Sequence, residues 1–140
     1  MIIAGLQAIT ILVDEFYCHW RRTLPRWERW GHPLDTIFLI LPLSLLVFIP
    51  TLPLWIYILT AAFSCLFITK DEWVHSQHCN AFENWLHAVL FVLHPLVLVF
   101  AWLVHLEQPA LILWMLPPMG IFLVYQLIYW NFYESNSVRS

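Results

Sequence analysis

The sequence predicts an all-α integral membrane bundle of about five transmembrane helices, with four as the alternative, folded as a single domain over residues 1–140. Its residues are 61% hydrophobic and 11% charged, where a soluble domain averages about 45–50% and about 25%. A chain this short buries too small a share of its surface to hide that excess in a soluble core. Its apolar runs also approach the roughly 20 residues that a membrane-crossing helix needs.

Five segments have the length and apolar character of membrane helices. Pro33 suits the first turn of the second helix, and tight turns at 50–53 and 107–109 separate the second helix from the third and the fourth from the fifth. In the four-helix alternative the first segment is only partly inserted. Met1–Val13 has no preceding basic residue and no small-residue cleavage site, which predicts a retained helix and not a signal peptide. The predicted segments are Ile2 to about Arg22, Pro33–Ile49, Leu54 to about Trp73, Phe82–Leu106, and Ala110 to about Phe132.

The basic residues set the predicted orientation. With five spans, all six lie on one side of the membrane, and the two opposite turns contain no Lys or Arg. The positive-inside rule makes that side cytoplasmic, so we expect the N-terminus outside and the C-terminus in the cytoplasm, as in a bacterial inner membrane. No basic stripe or nucleic-acid motif is present, which excludes nucleic acid as a partner. The six residues are Arg21, Arg22, Arg26, Arg29, Lys70 and Arg139.

Acidic residues and histidines gather at the same predicted membrane face, with helical spacing. Glu–His pairs four residues apart occur three times, so each pair shares one helix face. Asp35 extends the second pair, and Glu-x-x-His occurs once, at Glu72 and His75. Cys18 and Cys79 each lie beside a histidine in this polar face, which favours reduced thiols over a disulfide framework. The candidate metal ligands are Asp14, Glu15, His19, Glu28, His32, Asp35, Asp71, Glu72, His75, His78, Glu83 and His87.

Two polar stretches, 14–32 and 71–87, resemble one another. Each has an Asp-Glu-aromatic motif followed by a histidine, and each ends in Glu-x-Trp-x-His. The likeness predicts two half-sites that face each other, as internal repeats in membrane proteins do. Chance similarity in a compositionally biased chain is the alternative.

Carboxylates and imidazoles on facing helices are the ligands of iron, zinc, copper or manganese. The sequence therefore predicts a divalent metal cofactor, two iron ions in the first instance and zinc as the alternative. Soluble di-iron bundles combine Glu with Glu-x-x-His, and the ligand types agree, although only Glu72 and His75 show that spacing. Salt bridges at the headgroup level are the alternative for Glu28, Asp71 and Glu83, and such pairs contribute little. Asp14 lies about 12 Å inside the predicted end of its helix, where an ionisable group is costly and by default functional.

Proline positions predict a cavity beneath this cluster. Pro95 follows His94 and removes a helical hydrogen bond, and Pro42 and the pair at 117–118 fall at a comparable depth. Unpaired backbone in lipid is tolerated only against protein or a water-filled space. We expect a substrate cavity with polar contacts from His94, Gln126 and Asn131, and apolar walls from Phe91, Leu98 and Phe122.

These features predict a membrane metalloenzyme that acts on a lipid or other apolar substrate, most simply a non-haem di-iron oxygenase or desaturase supplied by an electron donor. A zinc-dependent lipid hydrolase would use the same ligand types. A small proton or metal-ion transporter is suggested by the histidine stripe on the fourth helix, which ends at His105. A structural subunit that docks through the polar face is the remaining alternative. No Gly-x-Ser-x-Gly or comparable motif points to covalent catalysis.

Overall fold

A computed structural model of the chain describes residues 2–21, 24–70, 72, 75 and 79–133. Within these ranges the chain is an all-α bundle without strands, which confirms the predicted fold class. A π-helical turn at Asp14–Cys18 and a 3₁₀ turn at His19–Arg21 extend α1, and a π-helical turn at Tyr129–Tyr133 extends α6. The helices are α1 (Ile2–Val13), α2 (Arg26–Phe48), α3 (Leu54–Phe67), α4 (Ala81–Glu107), α5 (Pro109–Leu113) and α6 (Leu116–Ile128).

Three helical spans in the described part of the chain are long and apolar enough to cross a membrane. They are Arg26–Phe48, Ala81–Glu107 and Pro109–Tyr133, the last combining α5 and α6. The 14 residues of α3 extend about 21 Å, less than the roughly 30 Å of a bilayer's hydrocarbon core. Full crossing by α3 and by the extended α1 stays a prediction.

The start of α2 differs from the prediction. The helix begins at Arg26, seven residues before Pro33, so the stretch that was expected to be a loop is helical. Pro33 has no amide hydrogen to donate to the carbonyl of Arg29. The side-chain amide of Asn131 donates to that carbonyl instead, at 3.3 Å. A contact from the far end of the chain therefore stabilises the proline inside α2.

The ends of the other helices follow from their prolines and caps. The third helix ends at Phe67, earlier than the expected end near Trp73, which lies outside the described residues. The fifth predicted helix is interrupted at Trp114 and Met115. Pro117 and Pro118 cannot donate to the carbonyls of Leu113 and Trp114, so regular helical bonding fails at this point.

The packing separates an apolar end of the bundle from a polar end. The first helix packs on α4, and α2 packs on both α3 and α6. Leu43 and Leu46 of α2 are almost fully buried with Leu98 of α4 at the apolar end. There the hydroxyl of Tyr57 donates to the carbonyl of Leu98 at 2.6 Å. At the polar end the C-terminal part of α1 and the N-terminal part of α4 approach the start of α2 and the end of α6.

Candidate metal centre

The polar end holds a concentration of buried ionisable side chains. Burying a charged group is costly unless the group is paired or coordinates a metal, so this concentration needs a specific physical explanation. Seven of the predicted ligands are less than a tenth exposed: Asp14, Glu15, His19, Glu28, His75, Glu83 and His87.

The π-helical turn of α1 brings Asp14 and His19 onto one face. Residues five apart point in different directions on a regular α-helix, but a π-helical turn bonds residue i to i+5 and aligns them. The amide of His19 donates to the carbonyl of Asp14 in this way. As a result, His19 Nε2 lies 3.4 Å from Asp14 Oδ2. Turns of this kind occur frequently at functional sites.

Two ligands from α4 complete a first cluster, which consists of Asp14, His19, Glu83 and His87. One ligand atom from each residue lies within 4.8 Å of all the others. His19 Nε2 is 3.5 Å from Glu83 Oε1, and His87 Nε2 is 3.4 Å from Asp14 Oδ1. Metal bonds of about 2.0–2.2 Å to nitrogen and oxygen place neighbouring ligands of a tetrahedron about 3.3–3.6 Å apart. The three distances in this cluster fall within that range.

Several ligand atoms of the first cluster lack hydrogen bonds. Among the described residues, neither ring nitrogen of His19 has a hydrogen-bond partner, and the same is true of His87 Nδ1 and Asp14 Oδ1. Buried polar atoms are nearly always hydrogen-bonded in folded proteins. Atoms arranged at coordination distances without hydrogen bonds are what a metal site requires.

A second cluster lies directly beside the first. It consists of Glu28 and His32 from α2 together with His75, whose Nε2 lies 3.1 Å from Glu28 Oε1. The rings of His19 and His32 have centroids 4.5 Å apart, and those of His75 and His87 are 4.4 Å apart. Glu72 forms a further potential group with His75 and His87. The two clusters are therefore neighbours, as the ligands of a dinuclear centre would be.

Each of these clusters combines side chains from both polar stretches of the sequence. The first cluster takes its α1 ligands from the Asp-Glu motif of the first stretch and its α4 ligands from the Glu-x-Trp-x-His motif of the second. The second cluster has the reverse composition, with the Glu-x-Trp-x-His pair of the first stretch and His75 of the second. This combination follows from the packing of α1 on α4 and of α2 on α3. The two similar stretches of the sequence thus contribute side chains to two adjacent clusters.

Glu15 and Asp35 were predicted as ligands but belong to neither cluster. Glu15 Oε1 accepts a short hydrogen bond from Trp130 Nε1, and Glu15 Oε2 accepts one from Gln126 at 3.3 Å. Since Glu15 Oε2 is also 3.8 Å from His19 Nδ1, its position suits it to orient that imidazole. Asp35 forms an ion pair with Lys70 at 2.7 Å. The other two predicted ligands, Asp71 and His78, lie outside the described residues.

A cavity of about 110 Å³ lies beneath the clusters. Its lining includes Asp14, His75 and His87 at the cluster and His94 and Gln126 deeper in the bundle. His94 Nδ1 is 3.3 Å from Gln7 Nε2, and its Nε2 is 2.8 Å from Ser64 Oγ. His94 is therefore held between α1 and α3, at the bottom of a space that reaches the clusters.

Three residues predicted for this cavity lie elsewhere. Asn131 does not line it, because its amide is directed to the carbonyls of Arg29 and Leu127. Leu98 is packed in the apolar core, and Phe122 lines a separate apolar pocket. Of the predicted apolar walls, Phe91 lines the cavity beneath the clusters.

Three buried residues that contact the site were not predicted from the sequence: Gln7, Ser64 and Trp130. Gln7 is a buried polar residue within an apolar helix, and this contrast was the available signal. Ser64 is likewise buried on α3. Trp130 resembles an interfacial anchor in sequence, and its buried bond to Glu15 depends on tertiary structure. Comparisons of the chain with protein-family models, curated proteins and solved structures give no match.

Proposed function

We propose that this protein is a membrane metalloenzyme whose carboxylate–histidine centre holds two divalent ions and acts on a lipid or other apolar substrate. The first cluster is the observation that carries the proposal. It joins two carboxylates and two imidazoles from two helices, all buried, with one ligand atom of each within 4.8 Å of the others. Imidazole and carboxylate together suit zinc and iron.

The concentration of acidic side chains supports divalent ions at this end of the bundle. Four carboxylates are buried there, those of Asp14, Glu15, Glu28 and Glu83. Asp14, Glu15 and Glu83 lie beside His19, and Glu28 lies beside His75. Buried charges in proteins are paired or coordinate metals. Two divalent ions, one per cluster, would provide such coordination.

The surroundings of the clusters support catalysis over a purely structural role. Structural zinc sites are closed by four protein ligands, whereas catalytic sites keep a position for water or substrate. The second cluster offers three ligands, and the cavity reaches both clusters through His75 and His87. Glu15, held by Trp130 and Gln126, lies 3.8 Å from His19 Nδ1, where a carboxylate beside a metal-ligating histidine is commonly found. A reacting group therefore has space beside the centre.

Oxidation is our first candidate reaction. With iron, the centre would use dioxygen and two electrons from an external donor, together with two protons. A C–H bond of the apolar substrate would be hydroxylated, or two would be removed in desaturation, with water as the second product. In either reaction the protein's ligands hold the ions, and the cavity holds the substrate away from bulk water. Zinc would instead activate water for hydrolysis of a lipid. The four nitrogen and oxygen ligands that the first cluster offers are ligands that zinc also takes, which supports this second candidate.

The packing of α4 gives less support to a transporter. The imidazole of His94 contacts Gln7 and Ser64. Buried Leu98 and Ala101 fill the interval between His94 and His105. The ring of His105 packs against Trp102 at 6.0 Å. A proton relay needs polar groups or water along its path, and this part of the helix is apolar.

Metal analysis of two variants on the same helix tests the proposal. Protein purified in mild detergent should contain about two ions per chain, as dinuclear carboxylate bundles do. Iron would favour the oxygenase and zinc the hydrolase. His87→Ala should lower the metal content, because His87 belongs to the first cluster and borders the second. His105→Ala, the matched control, should leave it unchanged. Equal metal contents in the two variants would contradict the proposal.

A further inference from the structure

A larger, apolar cavity adjoins the one beneath the clusters. Its volume is about 410 Å³, within the range of about 300–1,000 Å³ that is typical of small-molecule sites. It lies between α1 and the α5–α6 segment, with α2 and Val97 of α4 behind it. Small residues on α1, Gly5 and Ala8, face larger ones at Trp114, Met119 and Phe122.

This pocket is a slot lined by α1 on one side and by the α5–α6 segment on the other. At the polar end aromatic residues join α1 to α6: the Trp20 indole donates to the Tyr125 hydroxyl at 2.8 Å, and the rings of Phe16 and Tyr125 are 5.4 Å apart. Two lining residues of the slot, Leu12 and Trp114, are exposed on the outer surface of the bundle. In a membrane, these residues face the acyl chains of lipids.

The slot and the polar cavity lie side by side and share part of their walls. Four residues line both spaces: Gln7, Ile11, Thr36 and Leu39. Gln7 is only 3% exposed, and its Oε1 has no hydrogen-bond partner among the described residues. If the side-chain amide of Gln7 is rotated by 180°, its nitrogen takes the position of Oε1. One of its two polar atoms therefore lacks a hydrogen-bond partner in either orientation. A buried polar group thus marks the junction between an apolar slot and a polar cavity.

We propose that the slot binds one acyl chain of a membrane lipid, with the polar end of that lipid in the cavity beside the metal clusters. The slot extends from Ala4 to Leu12 on α1 and from Trp114 to Phe122 on the opposite segment, about 12 Å on each. One leaflet of a hydrocarbon core about 30 Å thick is about 15 Å deep. A lipid whose head lies at the polar face therefore has its chain at the depth of the slot.

This arrangement specifies where a bound lipid would react. The apolar slot takes the tail, and the polar lining of the cavity, with Thr36, Gln126 and His94, takes the headgroup-proximal atoms. The reaction would then occur near the polar end of the lipid and not at the middle of its chain. This last step rests on the proposed metalloenzyme function, whereas the binding of the chain does not.

Photocrosslinking in vesicles tests the proposal. The probe is a long-chain fatty acid with a diazirine near its methyl end, in phosphatidylcholine vesicles that contain the purified protein. We expect cross-links at Met115 and Met119 of the slot to exceed those at Ile58 and Leu66, which are exposed on α3 and report contact with bulk lipid. The same acid with its diazirine near the carboxyl group should shift the cross-links towards Gln7.

Two glycines provide a matched pair of variants. A Cβ atom added at Gly5 or at Gly120 meets no other atom within 4 Å, but only Gly5 lines the slot. Gly5→Phe should reduce the slot cross-links about ten-fold, which corresponds to 1.4 kcal/mol of binding free energy. Ala8→Phe, also in the slot, should have the same effect, and Gly120→Phe should have none.

Two outcomes overturn the proposal: slot cross-links no stronger than those on α3, or an equal loss in Gly5→Phe and Gly120→Phe. The experiment is repeated after the metal is removed with a chelator. Persistent slot cross-links in protein that never binds metal would support the lipid site and refute the metalloenzyme function. Bound metal without enriched slot cross-links would support the metalloenzyme function and refute the lipid site.

Discussion

Replacing His19 with alanine should remove one metal ion and leave the other. His19 belongs to the first cluster, and its two ring nitrogens contact three carboxylates. The second cluster uses Glu28, His32 and His75 and keeps all of its ligands in this variant. His32→Ala should have the complementary effect, because His32 belongs only to the second cluster. Each variant should therefore retain about one ion of about two.

The size of the effect follows from the geometry of the first cluster. Loss of an outer partner of a metal ligand typically costs about 10–100-fold in affinity, so loss of the direct ligand His19 should cost more than about 100-fold. Once the ion is lost, the carboxylates of Asp14 and Glu83 face each other within 4.8 Å. At an effective dielectric constant of about 20, two unit charges at that distance repel by about 3–4 kcal/mol. The variant should also be less stable than the wild type.

Two measurements check this prediction: elemental analysis for the ions, and thermal unfolding in detergent for the stability. Wild-type protein treated with a chelator should lose less stability than the variant, since its His19 imidazole still lies between the carboxylates of Asp14 and Glu83. His105→Ala serves as the control for a histidine outside both clusters. A His19→Ala protein that keeps both ions and its melting temperature would refute the assignment of His19 as a ligand.

Three further predictions concern the surroundings of the centre. Trp130→Phe removes one of two donors to Glu15, which itself lies outside the clusters, and should weaken metal binding by at most about ten-fold, the lower end of the range for an outer partner, as titration with the metal would show; unchanged affinity would mean that Glu15 does not orient His19. Tyr57→Phe removes the hydrogen bond to a core carbonyl and should lower the free energy of unfolding by about 1 kcal/mol without changing metal content; a parallel loss of metal would show that the apolar core and the centre are coupled. Reporter fusions should place Thr51 on the outer side and Arg26 in the cytoplasm, and a cytoplasmic signal at Thr51 would reverse the predicted orientation.

Local signals were sufficient for some helices and not for others. The fourth helix was predicted within one residue at each end, since Asn80 caps its start and Gln108–Pro109 follow its end. The second helix was predicted too short, because Pro33 looked like a helix start. Its continuation to Arg26 depends on the hydrogen bond from Asn131, which comes from a distant part of the sequence. Tertiary contacts of this kind leave no local pattern.

The same limit applies to the site. The four-residue spacing of Glu83 and His87 identified two candidate ligands on one helix. It could not show that their partners are Asp14 and His19, since that pairing depends on how α1 packs against α4. The π-helical turn that aligns Asp14 with His19 also has no signature in the sequence. The sequence indicated which types of side chain form the site, but not which carboxylates are buried or that they divide into two adjacent clusters.

X-ray absorption spectroscopy of the metal in the purified protein tests the two-ion centre most directly. We expect only nitrogen and oxygen among the nearest neighbours of the metal, at about 2.0–2.2 Å, and a second metal at about 3.5–4 Å. A sulfur neighbour at about 2.3 Å would instead indicate coordination by a thiolate such as that of Cys18 or Cys79. That result, or protein that binds no metal at all, would contradict a two-ion carboxylate–histidine centre.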